Sequence, residues 1–456
     1  MAEQKIRLMT RDKGFYQSLM RLAIPGALQA LITFTVGFAD NLMVGALGDI
    51  AVSGVYMGNQ FQTFLQLFIA GIEGALLVLG AQYWGKKDVN RVRSLSSIAL
   101  HFGLGSGLII MLLCLLIPKP IISLFTNDPQ VIEAGAGYLR IVCISYGFFA
   151  MTQVLIATMR AVEVAKIGMY VSLISLFTNV TLNYVLIFGK LGLPALGITG
   201  AAIATLLARM IECLVMWIYI LKIDKKLQMK FVEYLRFNEV ELRKDFVRYG
   251  LPLVGGQIVW SVNMMANSAI VGRFPSSVIT GVSVANTLNS LAYVGFQGVV
   301  GAVSIIIGKT VGSGQVEKVK EYSYTTQFLC LGMGILTGLM VLLLRKPFIG
   351  LYSGITPEAA SYALQFCLVL SVTIVGTCYQ AACLAGLVKA GGDVDFVFKN
   401  DTIFVFLVVL PSAIIAAWLG AAPWIVFACL KCDQILKCFV AVVKINSFNW
   451  IRDLTK

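Results

Sequence analysis

The chain has 456 residues, of which 58% are hydrophobic and 13% charged, with a formal net charge of +13. Soluble domains carry about 25% charged residues, so a water-soluble globular protein is excluded. A single histidine, His101, also excludes any catalytic or metal centre that needs two imidazoles.

Residues 1–16 are polar and charged, and the first apolar stretch after them is a full membrane span, so no cleavable signal peptide is expected. Twelve apolar stretches follow, near 17–44, 51–83, 94–117, 131–158, 164–189, 194–221, 246–272, 277–310, 322–344, 358–387, 397–419 and 422–444. They are continuously apolar rather than alternating, which predicts membrane helices and not a β-barrel. The expected fold class is an all-α polytopic membrane protein.

The basic excess is unevenly placed. The even-numbered loops and the two termini hold about 28 of the 36 Lys and Arg, and the odd-numbered loops about five. Both termini are therefore expected in the cytoplasm, as an even number of spans requires. The positive charge is explained by topology and by contact with anionic lipid, not by nucleic acid.

The first half of the chain recurs in the second. Arg21, Pro25, Val44, Gly45, Gly54, Asn59, Gly71, Ala75 and Gly85 reappear 227 residues later as Arg248, Pro252, Val271, Gly272, Gly281, Asn286, Gly298, Ala302 and Gly312. Repeated halves in a membrane protein are the plan of secondary transporters, with the substrate path between them. Each half has an even number of spans, so the repeat is parallel, and two six-helix bundles are expected. The expected division is an N-lobe at 1–221, a basic cytoplasmic linker at 222–245, and a C-lobe at 246–456. Pro25 and Pro252 lie inside the first helix of each half, and Pro25 is the candidate hinge.

Charges inside the spans point to chemistry, because each costs about 2.5–3.5 kcal/mol at the bilayer centre. Asp40, late in the first span, is the leading candidate for a coupling carboxylate that binds H⁺ or Na⁺. Its bland alternative is a helix-end residue at the outer interface. Glu73, in Gly71-Ile72-Glu73-Gly74, is a candidate second carboxylate, or else a carboxyl bonded to helix backbone. Asn179 and Asn183 stand one turn apart on the fifth span, so their amides share a face. With Asp40 they form a candidate oxygen ligand set for Na⁺, a network around a protonated acid, or plain interhelical packing.

Arg209 with Glu212, and Asp433 with Lys431 and Lys437, read as structural ion pairs. Trp260, Tyr293, Phe296 and Tyr379 are candidate linings of a cleft for flat cations, with lipid or core contact as the alternative. Cys429 and Cys432 have CxxC spacing but lie in an apolar helix with no second pair, and read as packing residues. The phosphate-binding pattern GxxxxGK[ST] is absent: Gly80 to Gly85 is followed by Lys86-Lys87 with no Ser or Thr. An ion or substrate gradient is thus the expected energy source. No cofactor is expected, and the chain is not expected to be an enzyme.

Over nearly its full length the chain resembles the multidrug and toxic compound extrusion (MATE) family of antiporters. The resemblance is carried by Ala23-Ile24-Pro25, Ala39-Asp40-Asn41 and Ala81-Gln82-Tyr83-Trp84-Gly85. It is also carried by Asn183-Tyr184-Val185-Leu186-Ile187-Phe188-Gly189, by Gly197-Ile198-Thr199-Gly200-Ala201-Ala202 and by Ala390-Gly391-Gly392-Asp393. It implies two six-helix bundles rocking between inward- and outward-open states, exporting amphipathic organic cations in exchange for H⁺ or Na⁺ as a monomer in the cell membrane. It places the ion site on Asp40, Asn179 and Asn183, with Thr205 as partner.

Acids that one branch of the family carries on the seventh and tenth helices fall here at Trp260 and Cys378, so that second site is expected to be missing. The expected division of labour is ion coupling in the first half, with the second half mainly a moving wall. A lipid-linked oligosaccharide flippase of the same superfamily is the alternative reading; it calls for basic residues in the cleft.

Overall fold

In the computed structural model, residues 9–236, 240–352 and 355–455 are described, so parts of the linker and the extreme termini lie outside the described residues. The described residues form helices joined by short turns. In the first half these are α1 (Lys13–Gly45), α2 (Asp49–Gly85), α3 (Val89–Leu116), α4 (Pro118–Ser123), α5 (Pro129–Val142), α6 (Ser145–Ala161), α7 (Lys166–Phe188) and α8 (Gly197–Ile218). A short α9 (Phe231–Leu235) lies in the linker. The second half contains α10 (Val240–Val271), α11 (Ser276–Gly312), α12 (Val316–Gly350), α13 (Pro357–Gln380), α14 (Val394–Ile403), α15 (Leu410–Trp418), α16 (Pro423–Leu430) and α17 (Asp433–Asn446). Wider π-helical turns at Tyr219–Ile223, Ala381–Val388 and Phe404–Val409 extend α8, α13 and α14.

Each of the twelve apolar stretches is helical. Nine helices among the described residues are long and apolar enough to cross a membrane alone, and α5 with α6 form a tenth crossing bent by 51°. The remaining two stretches are α10, whose first turns are charged, and the broken pair α16–α17. Helix ends follow local chemistry. Asp88 and Asp128 accept from the backbone N–H groups of Arg91 and Gln130, which caps α3 and α5, and Pro129 opens α5 where no N–H partner is needed. Gly189 ends α7 in the left-handed region (φ 66°), where a Cβ would meet the Ala195 backbone at 2.5 Å.

Two compact units divide the chain. One comprises residues 28–254, and the other residues 1–27 with 255–456. The first turns of α1 thus belong with the second half, and the first turns of α10 with the first half. The boundaries fall after Ala27 and after Val254, again 227 residues apart, and each lies two residues beyond the repeated proline. The glycines explain the exchange. In the 28–254 unit Gly71 of α2 sits so close to α10 that a Cβ would lie 2.8 Å from the Val254 Cα. In the other unit a Cβ on Gly298 of α11 would lie 2.5 Å from the Ala27 nitrogen of α1. The same glycine and the same facing position recur in both copies, so one close backbone approach is built twice.

The linker is not a free tether. Arg93 of α3 donates from Nε to the Leu227 carbonyl at 2.7 Å, and Ser97 donates to the Tyr234 and Arg236 carbonyls at 3.1 Å each. Asp224 accepts from the backbone N–H groups of Lys226, Leu227 and Gln228 and shapes the turn between α8 and α9.

Candidate ion-coupling site

Asp40 lies five residues before the end of α1, within the 28–254 unit. The Nδ2 group of Asn183 donates to Asp40 Oδ1 at 2.5 Å and to Asn179 Oδ1 at 3.1 Å. Both asparagines are buried, at 2% and 1% exposure, on one face of α7 as their four-residue spacing requires. The Asn183 Oδ1 atom is buried without a hydrogen-bond partner, an open acceptor beside the carboxylate. The three residues grouped from the sequence are therefore in contact.

Beside the cluster stands a residue that the sequence reading missed: the Tyr138 hydroxyl of α5 donates to Asn59 Oδ1 of α2 at 3.1 Å and lies within electrostatic range of Asp40, with Thr205 of α8 near the same hydroxyl. The only sequence signal for Asn59 was its presence in the repeat, and Tyr138 had none, because an aromatic in a span looks like lipid or core contact. Arg209 of α8 also acts on Asp40 electrostatically, but its guanidinium is paired with Glu212 at 2.9 Å and lies 4.9 Å from the Phe149 ring. That pair is structural, as its spacing predicts. It is neutral in sum, and among the described residues no cation makes an ion pair with Asp40. A carboxyl buried among amides is stable either as the neutral acid or with a cation beside it.

Glu73 belongs elsewhere. It faces Arg160 at the end of α6, whose Nη2 donates to Gln29 Oε1 at 2.6 Å. Gln29 and Asp40 are eleven residues apart on α1, about 16 Å along its axis. The two polar clusters of this unit are therefore separate.

In the other unit, Asn267 stands where the repeat has Asp40. With Asn263 one turn earlier, it keeps a buried side-chain carbonyl oxygen without a hydrogen-bond partner. Trp260 is half exposed, whereas Phe296 (3% exposed) and Tyr379 (7%) are buried. Phe296 packs against Tyr293 with ring centroids 6.0 Å apart, and the Tyr379 hydroxyl donates to Gln327 Oε1 at 2.8 Å. Phe296 and Tyr379 are thus packed inside this unit. Cys378 is fully buried, and all ten cysteines are free thiols.

This unit does carry buried ions. Lys437 of α17 bridges Asp401 of α14 at 2.8 Å and Asp433 of α17 at 3.2 Å. Asp401 escaped the sequence reading because nothing in its span marked a partner. Asp433 pairs with Lys437 as its helical spacing predicts, while Lys431 acts on it only electrostatically. Nearer the C-terminus, Asp393 is held by Lys444 at 2.7 Å and by Arg452 at 3.0 Å.

A family model described as MatE matches residues 25–185 and 252–415, so the two matched segments begin at the two repeated prolines. The multidrug resistance protein NorM of Aliivibrio fischeri is 26% identical over 411 residues, covering 89% of this chain and 87% of that protein. The multidrug resistance protein MdtK of Photorhabdus laumondii is 24% identical over 412 residues, covering 90% and 89%. Among solved structures, a mutant of the Vibrio cholerae MATE transporter VcmN superposes with a TM-score of 0.87 at 15% identity, covering 97% of this chain and 98% of that one. The eukaryotic MATE transporter AtDTX14 gives 0.83 at 19% identity, with 97% of each chain covered. These likenesses show the fold: twelve membrane helices arranged as two six-helix bundles.

Proposed function

The chain belongs to the MatE family, and we propose that it is a secondary active exporter of amphipathic organic cations, driven by exchange for H⁺ or Na⁺ at Asp40. The observation that carries this reading is the carboxyl of Asp40 without an ion pair among the described residues, bonded to Asn183, which in turn bonds to Asn179, and near the Tyr138–Asn59 hydrogen bond. The family membership and the names of the relatives support export of drugs. The duplicated halves, with a proline inside the first helix of each, support alternating access, with α1 and α10 flexing near Pro25 and Pro252.

Coupling requires that Asp40 bind its ion differently in the two access states. An ion bound when the site is open outward favours release of the organic cation, and by linkage the organic cation favours release of the ion. A proton adds to one carboxylate oxygen and leaves the amide donors in place. Na⁺ draws instead on the oxygens of Asp40, Asn179 and Asn183, where the open Asn183 acceptor supplies a free ligand. The basic loops support cytoplasmic termini.

The test is efflux of a fluorescent organic cation from proteoliposomes under an imposed H⁺ or Na⁺ gradient. Asp40→Asn is expected to lower gradient-driven efflux about a hundredfold, the upper range of a coupling energy. Glu73→Gln is expected to retain it, because Glu73 faces Arg160 and lies in a separate cluster. Undiminished transport by Asp40→Asn sinks the assignment, and loss in Glu73→Gln alone moves the site to the Glu73 cluster.

A further inference from the structure

We propose that residues 447–455 form a strap that locks the turn at 389–393, as residues 224–236 of the linker lock the turn at 162–165 in the other unit. Each strap lies within its own unit. The use of the strap in transport rests on the exporter reading above, and the strap itself does not.

The two turns are copies of each other. One joins α6 to α7, and the other joins the π turns that extend α13 to α14. The Val164 N–H donates to the Met159 carbonyl at 2.8 Å, and the Asp393 N–H donates to the Val388 carbonyl at 3.2 Å. The Glu163 N–H donates to the Arg160 carbonyl at 2.9 Å, and the Gly392 N–H donates to the Lys389 carbonyl at 3.2 Å. Glu163 (φ 61°) and Gly392 (φ 105°) both take the left-handed conformation that closes this pattern of bonds. Matching residues stand 229 positions apart, so the turn is duplicated with the rest of the scaffold.

In each turn the carbonyl just before the left-handed residue is left over, and a donor comes from the segment that follows the last helix of that half. Lys226 Nζ donates to the Val162 carbonyl. The Arg452 N–H donates to the Gly391 carbonyl at 2.7 Å. The two segments are also seated at matching positions. On α3, Arg93 and Ser97 hold the linker through the Leu227, Tyr234 and Arg236 carbonyls. Exactly one repeat later on α12, Lys320 and Tyr324 hold Phe448, with the Lys320 Nζ 5.7 Å and the Tyr324 ring 5.8 Å from its ring. Phe448 is thus the counterpart of the linker backbone.

The second strap is the more heavily packed. Trp450 is fully buried, and its Nε1 donates to the Ile445 carbonyl at 3.0 Å. Its ring fills the space over Gly391, where a Cβ would collide with it. Asp393, in the turn, is held by Arg452 of the strap at 3.0 Å and by Lys444 of α17 at 2.7 Å, and the Lys444 Nζ lies 4.2 Å from the Phe396 ring of α14. The strap therefore ties α12, the end of α13, α14 and α17 together at one end of the unit. Helices tied in this way move as one body, which rocking of a bundle requires.

Hydrogen–deuterium exchange of the full chain in lipid nanodiscs tests this. Gly391→Ala pushes the Trp450 ring away, and Arg452→Gln removes the ion pair to Asp393 while keeping the backbone N–H. Gly391→Ala should raise exchange in residues 387–397 about tenfold, and Arg452→Gln by a smaller factor, with residues 28–221 unchanged. Lys226→Met should raise exchange about tenfold in residues 159–166 and leave 387–397 unchanged. Wild-type exchange at 387–397 in either Gly391→Ala or Arg452→Gln overturns the strap. A rise that spreads to residues 28–221 in those variants is global loosening and overturns its local role. Wild-type exchange at 159–166 in Lys226→Met overturns the equivalence of the two segments. Asp40→Asn should leave exchange at 387–397 unchanged, so failure of the coupling site and failure of the strap are told apart.

Discussion

Asp40 in the 28–254 unit is held by the Asn183 amide, whereas Asp401 and Asp433 in the other unit are held by an ammonium. An amide N–H stabilises a carboxylate without cancelling its charge. Among the described residues Asp40 has no ion pair, and the guanidinium of Arg209, which acts on it, is paired with Glu212. Lys437 lies between Asp401 and Asp433 and cancels one of their two charges, so this cluster has a lysine in contact with its acids. One duplicated scaffold thus carries an acid held by an amide in one copy and acids held by an ammonium in the other. A shared scaffold does not force shared chemistry, because the polar residues differ between the two copies: Asp40 is matched by Asn267, and Glu73 by Val300.

The comparison breaks most visibly at Lys437. Lys437→Met leaves the buried Asp433 and the partly exposed Asp401 without their cation and should cost about 3 kcal/mol, read as a fall in the thermal midpoint of the detergent-solubilised protein. Lys437→Arg should recover most of it. A Lys437→Met protein as stable as wild type would mean that these acids do not depend on a resident cation, and the contrast with Asp40 would disappear.

A smaller effect tests whether the two copies are packed alike. Gly71→Val and Gly298→Val each force a side chain into backbone of the facing helix and should each cost about 1–3 kcal/mol. Gly301→Ala, where a Cβ meets nothing, should be close to neutral in packing. Unequal losses at Gly71 and Gly298 would show that the two close approaches are not equivalent.

The smallest effect separates the starts of the two exchanged helices. Before α1, Asp12 Oδ2 accepts from the Tyr322 hydroxyl of α12 at 2.6 Å, and this bond first of all holds the Asp12 carboxyl below the usual carboxylate range. At the start of α10 the corresponding support is the stack of Phe246 on Phe102, centroids 5.8 Å apart, which does not titrate. A carboxyl whose folded-state pKa is depressed adds stability above its unfolded value of about 3.9 and loses it as pH falls through the folded value. Asp12→Asn should therefore lower the thermal midpoint slightly at neutral pH and match wild type in strong acid. Asp12 is exposed, so the difference should be small. A loss that persists in acid would assign it to packing.

Much of this organisation was legible in the chain itself. The twelve spans follow from hydropathy alone, since a bilayer tolerates only helices that satisfy their own backbone. The repeat was visible as a constant offset, and the Asp40, Asn179 and Asn183 group as polar residues in apolar surroundings. Tyr138, Asn59, Arg160 and Asp401 were illegible for a common reason. Each gains its meaning from a partner on a different helix, 36 to 131 residues away in the chain. Spacing within one helix reports which residues share a face, and says nothing of what that face meets.

The sequence by itself determined that this is a duplicated membrane protein and that charge is scarce and placed inside it, because hydropathy and repetition are properties of the chain in order. Only the tertiary structure decided that the first turns of α1 and α10 are exchanged between the units, and that one acid is held by an amide while two others share a lysine. Those outcomes depend on helix rotation and on the close approach allowed by Gly71 and Gly298, which side-chain periodicity within a span does not encode.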